Sequence, residues 1–218
     1  PSPAGVKLTI QLMFFRDRYN ITARDLERYL GEALGCGGEY AALYFEYIST
    51  SSLGLDESLI KSATQGISVG CGIRVLAGEK TGYAYTDDLA PEKIARAARV
   101  AARIAAGPGR DGPAPIDARP LAHDLYPRLA APDAELAAKL ALLERADRAA
   151  RGYDARVFQV RAGYADEARH ILVATSEGHL TEDFQPLARL SVLSMAREGS
   201  NIQRGMDGGG GRVTLEFF

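Results

Sequence analysis

The sequence predicts an α+β fold, with mainly antiparallel sheets and packed helices, on three observations. Val69, Cys71, Ile73 and Val75 alternate with Ser68, Gly70, Gly72 and Arg74, the two-residue period of a half-buried strand. Leu26, Tyr29, Leu30, Ala33 and Leu34 recur at helical spacing instead. Successive strand-like runs are separated by short turn signals with no intervening helix, which favours antiparallel neighbours.

The elements follow in order. Thr22 with Asp25 three residues on approximates a capping box and opens the first helical run, which Gly35 stops. Tyr40 to Thr50 has apolar groups on both faces, as in a covered strand, and Asp56-Glu57-Ser58 is a turn signal. Gly78-Glu79-Lys80 turns the chain into a strand from Thr81 to Thr86. Asp88 and Pro91 open a second helix with Ile94, Ala97, Ala98, Ala101 and Ile104 on one face.

Gly107 to Pro120 contains three glycines and four prolines, too broken for a helix or central strand. A third helix follows, with Pro132 near its start and Leu136, Leu140, Leu143 and Ala150 on one face; Gly152 ends it. Strand-like runs return at Val157 to Tyr164, His170 to Thr175, His179 to Phe184 and Leu187 to Ala196. Asp166-Glu167-Ala168 and Ser176-Glu177-Gly178 punctuate them. A helix followed by a strand meander is thus expected twice. The expected division is an amino-terminal domain over 1–106, a Pro/Gly-rich linker over 107–131, and a central domain over 132–218 that is incomplete at its carboxy-terminal end.

Composition narrows the function classes. The 218 residues are 46% hydrophobic and 25% charged, with a formal net charge of −2, the balance of an ordinary globular chain. That balance gives no basic face for nucleic acid. No segment approaches the roughly 20 apolar residues needed to span a bilayer, so no membrane partner is expected. Two cysteines, Cys36 and Cys71, make no disulfide framework, so a reducing cytoplasm is the expected compartment. Pro1 stands where a Met is expected, and the strand-like run Arg212 to Phe218 stops on two phenylalanines. The chain is therefore read as a piece of something longer, with Arg212 to Phe218 a strand lacking its partners.

A search for chemistry finds little. The histidines are His123, His170 and His179; none begins a His-Glu pair, and none has a second His at helical ligand spacing. His170 and His179 could face each other across adjacent strands, but no cysteine or carboxylate cluster accompanies them. Gly107 to Gly112 matches a dinucleotide fingerprint formally, yet it follows a helix and runs into prolines, where the true motif follows a strand and opens a helix. Gly78-Glu79-Lys80-Thr81 lacks the glycines of a phosphate loop, and no Gly-x-Ser-x-Gly elbow occurs. Cys71 reads as a small core residue. Gly208, Gly209, Gly210 and Gly211 form the most unusual local feature: a hinge, a stretch where another backbone approaches closely, or a flexible connector. The expectation is no catalytic, metal-binding or cofactor-binding residue in this chain.

One set of residues goes further. Gly37-Gly38, then Leu43-Tyr44-Phe45-Glu46, Lys61-Ser62-Ala63, Gly70-Cys71-Gly72-Ile73-Arg74-Val75, and Gly78 through Leu89 together resemble the amino-terminal domain of the TldD/PmbA family, the last block being nearer to the TldD branch. Tyr153-Asp154, Ala174-Thr175 with Gly178, and Gly208 to Arg212 stand in the family's order, so the resemblance covers about residues 20 to 212. It implies the non-catalytic amino-terminal part of a cytoplasmic, zinc-dependent metallopeptidase that degrades or processes small unfolded peptides. The family's metal motif, His-Glu-x-x-x-His with a later cysteine, lies beyond Gly208 to Arg212 in that order, so no ligand is placed on this chain. The implied partners are a peptide substrate and either a PmbA-like subunit or a second copy. The alternative is the same region of a PmbA-like structural subunit supporting an active partner.

Overall fold

A computed structural model describes residues 14–106, 112–118 and 131–218. The element order is α1 (Phe14–Tyr19), α2 (Ala23–Leu34), β1 (Tyr40–Asp56), β2 (Leu59–Ala77), β3 (Lys80–Thr86), α3 (Pro91–Ile104), β4 (Asp117–Ala118), α4 (Leu136–Tyr153), β5 (Val157–Thr175), β6 (His179–Glu198) and β7 (Asn201–Gly211). Single 3₁₀ turns lie at Ala131–Asp133 and Leu215–Phe217. The strands form one open sheet in the order β3-β2-β1-β5-β6-β4, with β7 also pairing β6. β2–β3 and β6–β7 are antiparallel, and the two residues of β4 run parallel to β6. The α+β class with mainly antiparallel strands and packed helices is as expected.

The chain forms two compact units that interleave along the sequence. The first contains Pro1–Tyr47, Val69–His123 and His170–Asp183; the second contains Ile48–Ser68, Asp124–Arg169 and Phe184–Phe218. This grouping crosses the expected division at 107–131. Within that stretch, residues 112–118 are described and are tied into the first unit. Ala114 N–H donates to Ser176 O, Ile116 N–H to Glu27 Oε1, and Asp117–Ala118 pair His179–Leu180. Residues 107–111 and 119–130, with His123 among them, lie outside the described residues.

In the first unit the helices bury one apolar stripe each. Thr22 Oγ1 accepts from Asp25 N–H while Thr22 N–H donates to Asp25 Oδ2, completing the expected capping box. Leu26, Tyr29, Leu30, Ala33 and Leu34 are all buried, against Leu43, Phe45, Ile73 and Val75. Gly35 keeps a right-handed helical backbone (φ −61°). The left-handed residue is Gly37 (φ +90°), so the helix stop is spread over Gly35–Gly38. α3 packs on β3 and α2 through Ile94, Ala97, Ala98 and Ala101. Ile104, expected on that face, is exposed. Closeness explains Gly82: a Cβ there would stand 2.0 Å from Ala101 O. Ser176 joins the far end of β5 to the start of β1, since Ala41 N–H donates to Ser176 Oγ and Ser176 N–H to Ala41 O.

In the second unit α4 lies over Leu53, Leu55, Ala162, Tyr164 and Ala188. The buried positions of this helix are Lys139, Leu142, Leu143 and Asp147, and Leu136 is exposed. The expected face is thus rotated, because two charged residues turn inward and find partners there. Lys139 Nζ sits 2.5 Å from Asp166 Oδ2 and donates to Pro132 O, while Ser51 Oγ donates to Asp166 Oδ1. Asp147 accepts from Ser58 and Arg151. With Asp166 buried and paired, Asp166-Glu167-Ala168 is no turn, and β5 runs unbroken through it. β6 likewise passes through Pro186, which falls between its pairing with β4 at 179–180 and with β7 at 188–198.

The expected strand at Arg212 to Phe218 is corrected. The strand ends at Gly211, and Leu215–Phe217 make a 3₁₀ turn. Ala131 N–H holds Val213 O, Phe218 packs edge-on against Tyr164, and Arg145 donates to Phe218 O. Those contacts draw the segment back over the core of the second unit instead of extending it.

Candidate functional site

The described histidines, His170 and His179, are not assembled into a ligand set. His170, in β5, stacks flat on Phe14 with ring centroids 3.7 Å apart and lies 6.2 Å from Tyr47. Burial, with Arg18 nearby, pushes its imidazole down to about 4. His179 opens β6 and is half exposed, 4.0 Å from Glu177. Cys71 is buried in β2, and burial pushes its thiol far above the usual range, which leaves it a protonated core residue. Cys36 is exposed.

The four glycines are paired strand residues. Gly208, Gly209, Gly210 and Gly211 of β7 face Ser191, Leu190, Arg189 and Ala188 of β6. Another backbone approaches closely at two of them. A Cβ on Gly208 would stand 2.6 Å from Leu190 O, and one on Gly210 2.2 Å from Ala188 O. A run of glycine carries no strand pattern of its own, so β7 was not legible before its partner was seen.

A polar depression lies in each unit among the described residues. In the first, about 310 Å³ is lined by Glu32, Gly35, Cys36, Arg99 and Arg103, with Arg99 paired to Glu32. In the second, about 370 Å³ is lined by Leu55, Ser58, Glu144, Asp147, Arg148 and Arg151. Its charges are spent on one another: Arg151 on Asp147, Arg148 on Glu144, Ser58 on Asp147. Neither offers a nucleophile beside a base or a convergent set of metal donors. Among the described residues no three His, Cys, Asp or Glu side chains come together as a metal site. The described side chains therefore offer no set that fits a catalytic metal. A buried ion pair, Lys139 with Asp166, was missed from the sequence; its signal was a lone lysine on the apolar stripe of α4.

Sequence comparison decides the family. The PmbA/TldA metallopeptidase domain 1 matches residues 41–105, and the PmbA/TldA metallopeptidase central domain matches residues 130–218. The chain belongs to the TldD/PmbA family. Among curated relatives of this family, a metalloprotease TldD homolog of Haemophilus influenzae is 34% identical over 187 residues, covering 83% of this chain and 38% of its own length. A metalloprotease TldD homolog of Buchnera aphidicola subsp. Acyrthosiphon pisum is 30% identical over 183 residues, with coverage of 83% and 37%. The chain thus spans little more than a third of these relatives. Solved structures share the fold. A Thermotoga maritima protein described as a candidate modulator of a DNA gyrase superposes with a TM-score of 0.69 at 20% identity, covering 90% of this chain and 44% of its own. TldE from Thermococcus kodakarensis gives 0.62 at 19% identity, with coverage of 88% and 43%. No helix among the described residues is long and apolar enough to cross a membrane.

Proposed function

We propose that this region is the non-catalytic amino-terminal part of a TldD-like, zinc-dependent metallopeptidase of the cytoplasm. In this reading the whole enzyme degrades or processes small unfolded peptides, and this part helps to enclose the path they take. The observation that carries it is the succession of two family domains, over 41–105 and 130–218, in a chain matching about 38% of a metalloprotease relative. The metal and its ligands then belong to the remainder of the enzyme, a reading supported by the lack of a converging donor set among the described residues. The TldD branch is favoured over a PmbA-like structural subunit by the curated relatives, which are TldD homologs at 30–34% identity. Its partners are a peptide substrate and a PmbA-like subunit or a second copy.

The test is elemental analysis and peptidase assay of the purified 218-residue chain. Dialysed protein should retain well under one zinc per chain and leave an unfolded casein-like substrate intact. A stoichiometry near one, lost in His170→Ala, overturns the assignment of the metal to the rest of the enzyme.

A further inference from the structure

The outer edge of β2 carries a pattern that no strand among the described residues uses. β3 pairs β2 over Cys71–Ala77, and none of the described strands takes that side of β2 from Leu59 to Ser68. These ten residues are exposed on both faces of the strand. α4 packs over Leu53 and Leu55 of β1, one strand further in, and leaves the edge clear. A strand edge presents unpaired N–H and C=O groups, and sheets guard it with charges, proline or bulges. Leu59 to Ser68 has no proline and one charge, Lys61, which Glu57 of the same hairpin holds at 3.4 Å. Leu59 and Ile67 stand 60% exposed there.

Side chains alternate between the two faces along a strand. Ser62, Thr64 and Gly66 share a face with Gly54, Ser52 and Thr50 of β1. Leu59, Lys61, Ala63, Gln65 and Ile67 belong to the other face.

We propose that this edge is where a second copy of the chain joins, by antiparallel pairing of β2 with β2 about a two-fold axis through Ala63. A two-fold axis normal to the sheet makes one residue oppose its own copy and every other residue oppose one of the same face. With Ala63 on the axis, Ser62 opposes Thr64, Lys61 opposes Gln65, Ile60 opposes Gly66 and Leu59 opposes Ile67, each twice. Hydroxyl then meets hydroxyl, the ammonium meets a side-chain amide, and the two exposed apolar groups cover each other, so the cross-strand pairs agree in kind. The Lys61 side chains of the two copies lie four residues apart along the strands, about 14 Å at ~3.4 Å per residue and beyond the ~10 Å reach of exposed charges at ordinary salt. Moving the axis to Thr64 sets Lys61 against Ile67 and Ile60 against Ser68; moving it to Ser62 sets Leu59 against Gln65. The match is therefore particular to Ala63, and it is a match of the strand to itself, which is why the occupant is a second copy. Ten residues a side is fewer than the roughly 20–30 of a standard interface, so the dimer is reversible and of modest affinity. Of the partners in the peptidase reading, a second copy is the one this edge fits; the pairing rests on β2 itself, and the peptidase reading has its own separate assay.

The experiment is sedimentation equilibrium of the 218-residue chain from micromolar to near-millimolar concentration, with substitutions at exposed positions of the edge. The unmodified chain should show a monomer–dimer equilibrium. Gln65→Lys sets two like-charge pairs against Lys61 and should weaken the dimer about tenfold, while Gln65→Glu sets two opposite-charge pairs there and should tighten it about tenfold. Lys61→Glu combined with Gln65→Lys should recover the affinity that Gln65→Lys loses. A monomer at every concentration overturns the proposal, as does a dimer whose affinity ignores the charge at position 65. The register is read separately in a Cys36→Ser background under mild oxidation. Ala63→Cys should form a disulfide between copies, because directly opposed Cα atoms lie about 4.5–5.5 Å apart, and Gln65→Cys, two residues from the axis, should not. No linkage at Ala63→Cys, or equal linkage at both positions, refutes the register. Zinc content and peptide cleavage enter neither readout.

Discussion

Replacing Lys139 by methionine is the sharpest test of what holds α4 on the sheet. The ammonium and the Asp166 carboxylate are 8% and 4% exposed, and the ammonium is the cation that faces Asp166 Oδ2. Methionine keeps most of the aliphatic volume and removes the charge, so the change isolates electrostatics from packing. An uncompensated buried carboxylate costs about 3–5 kcal/mol. Pro132 O loses its donor as well, which adds about 1 kcal/mol where water does not enter. The expected loss is about 4–6 kcal/mol, a large part of the ~5–15 kcal/mol of a typical domain. Urea unfolding followed by circular dichroism measures it, with the slope checked for two-state behaviour. The double variant Lys139→Met/Asp166→Leu should recover about half of the loss, since no charge is left buried, while the Ser51 hydroxyl still lacks its acceptor. A loss under about 1 kcal/mol in the single variant would refute the reasoning. So would a double variant less stable than the single one, because it would show that the pair's shape matters and its charge does not.

Two further outcomes follow from local geometry. Thr22→Ala removes the acceptor of Asp25 N–H and should destabilise the chain by about 1 kcal/mol, measured by the same unfolding curve. Gly210→Ala, whose Cβ would meet Ala188 O at 2.2 Å, should disrupt the β6–β7 pairing by about 1–3 kcal/mol; Gly205→Ala, with nothing within 4 Å, should fall within about 0.5 kcal/mol of the parent, and equal effects would contradict the close-approach account.

Much of the first unit was legible in the sequence because its signals are local. The Thr22–Asp25 box, the Leu26–Leu34 stripe and the alternation through Val75 each describe an element that needs no distant partner to be recognised. The second unit was harder for a physical reason. Asp166 reads as a turn residue until Lys139 neutralises it from α4, and Pro186 reads as a strand end until the gap between the partners of β6 is known. β7 is a strand only because β6 supplies its ladder, and Phe217–Phe218 mimic a strand although their neighbours fold them back. The candidate site was legible only as a shortage, since no His or Cys cluster stands in the sequence; the structure places His170, His179 and Cys71 in separate surroundings.

The reciprocal bonds between Ala41 and Ser176 join residues 135 positions apart, so they have a consequence for the order of events during synthesis. A ribosome adding about 5–20 residues per second needs roughly 7–27 s to travel that distance. Through that interval α2, β1, β2, β3 and α3 have all emerged, yet the sheet edge at Ala41 has no β5 to receive it. The nascent chain must therefore wait, with one strand edge open, for a segment encoded well downstream of it. Whatever shields that edge in the meantime acts on the first unit before the first unit is complete.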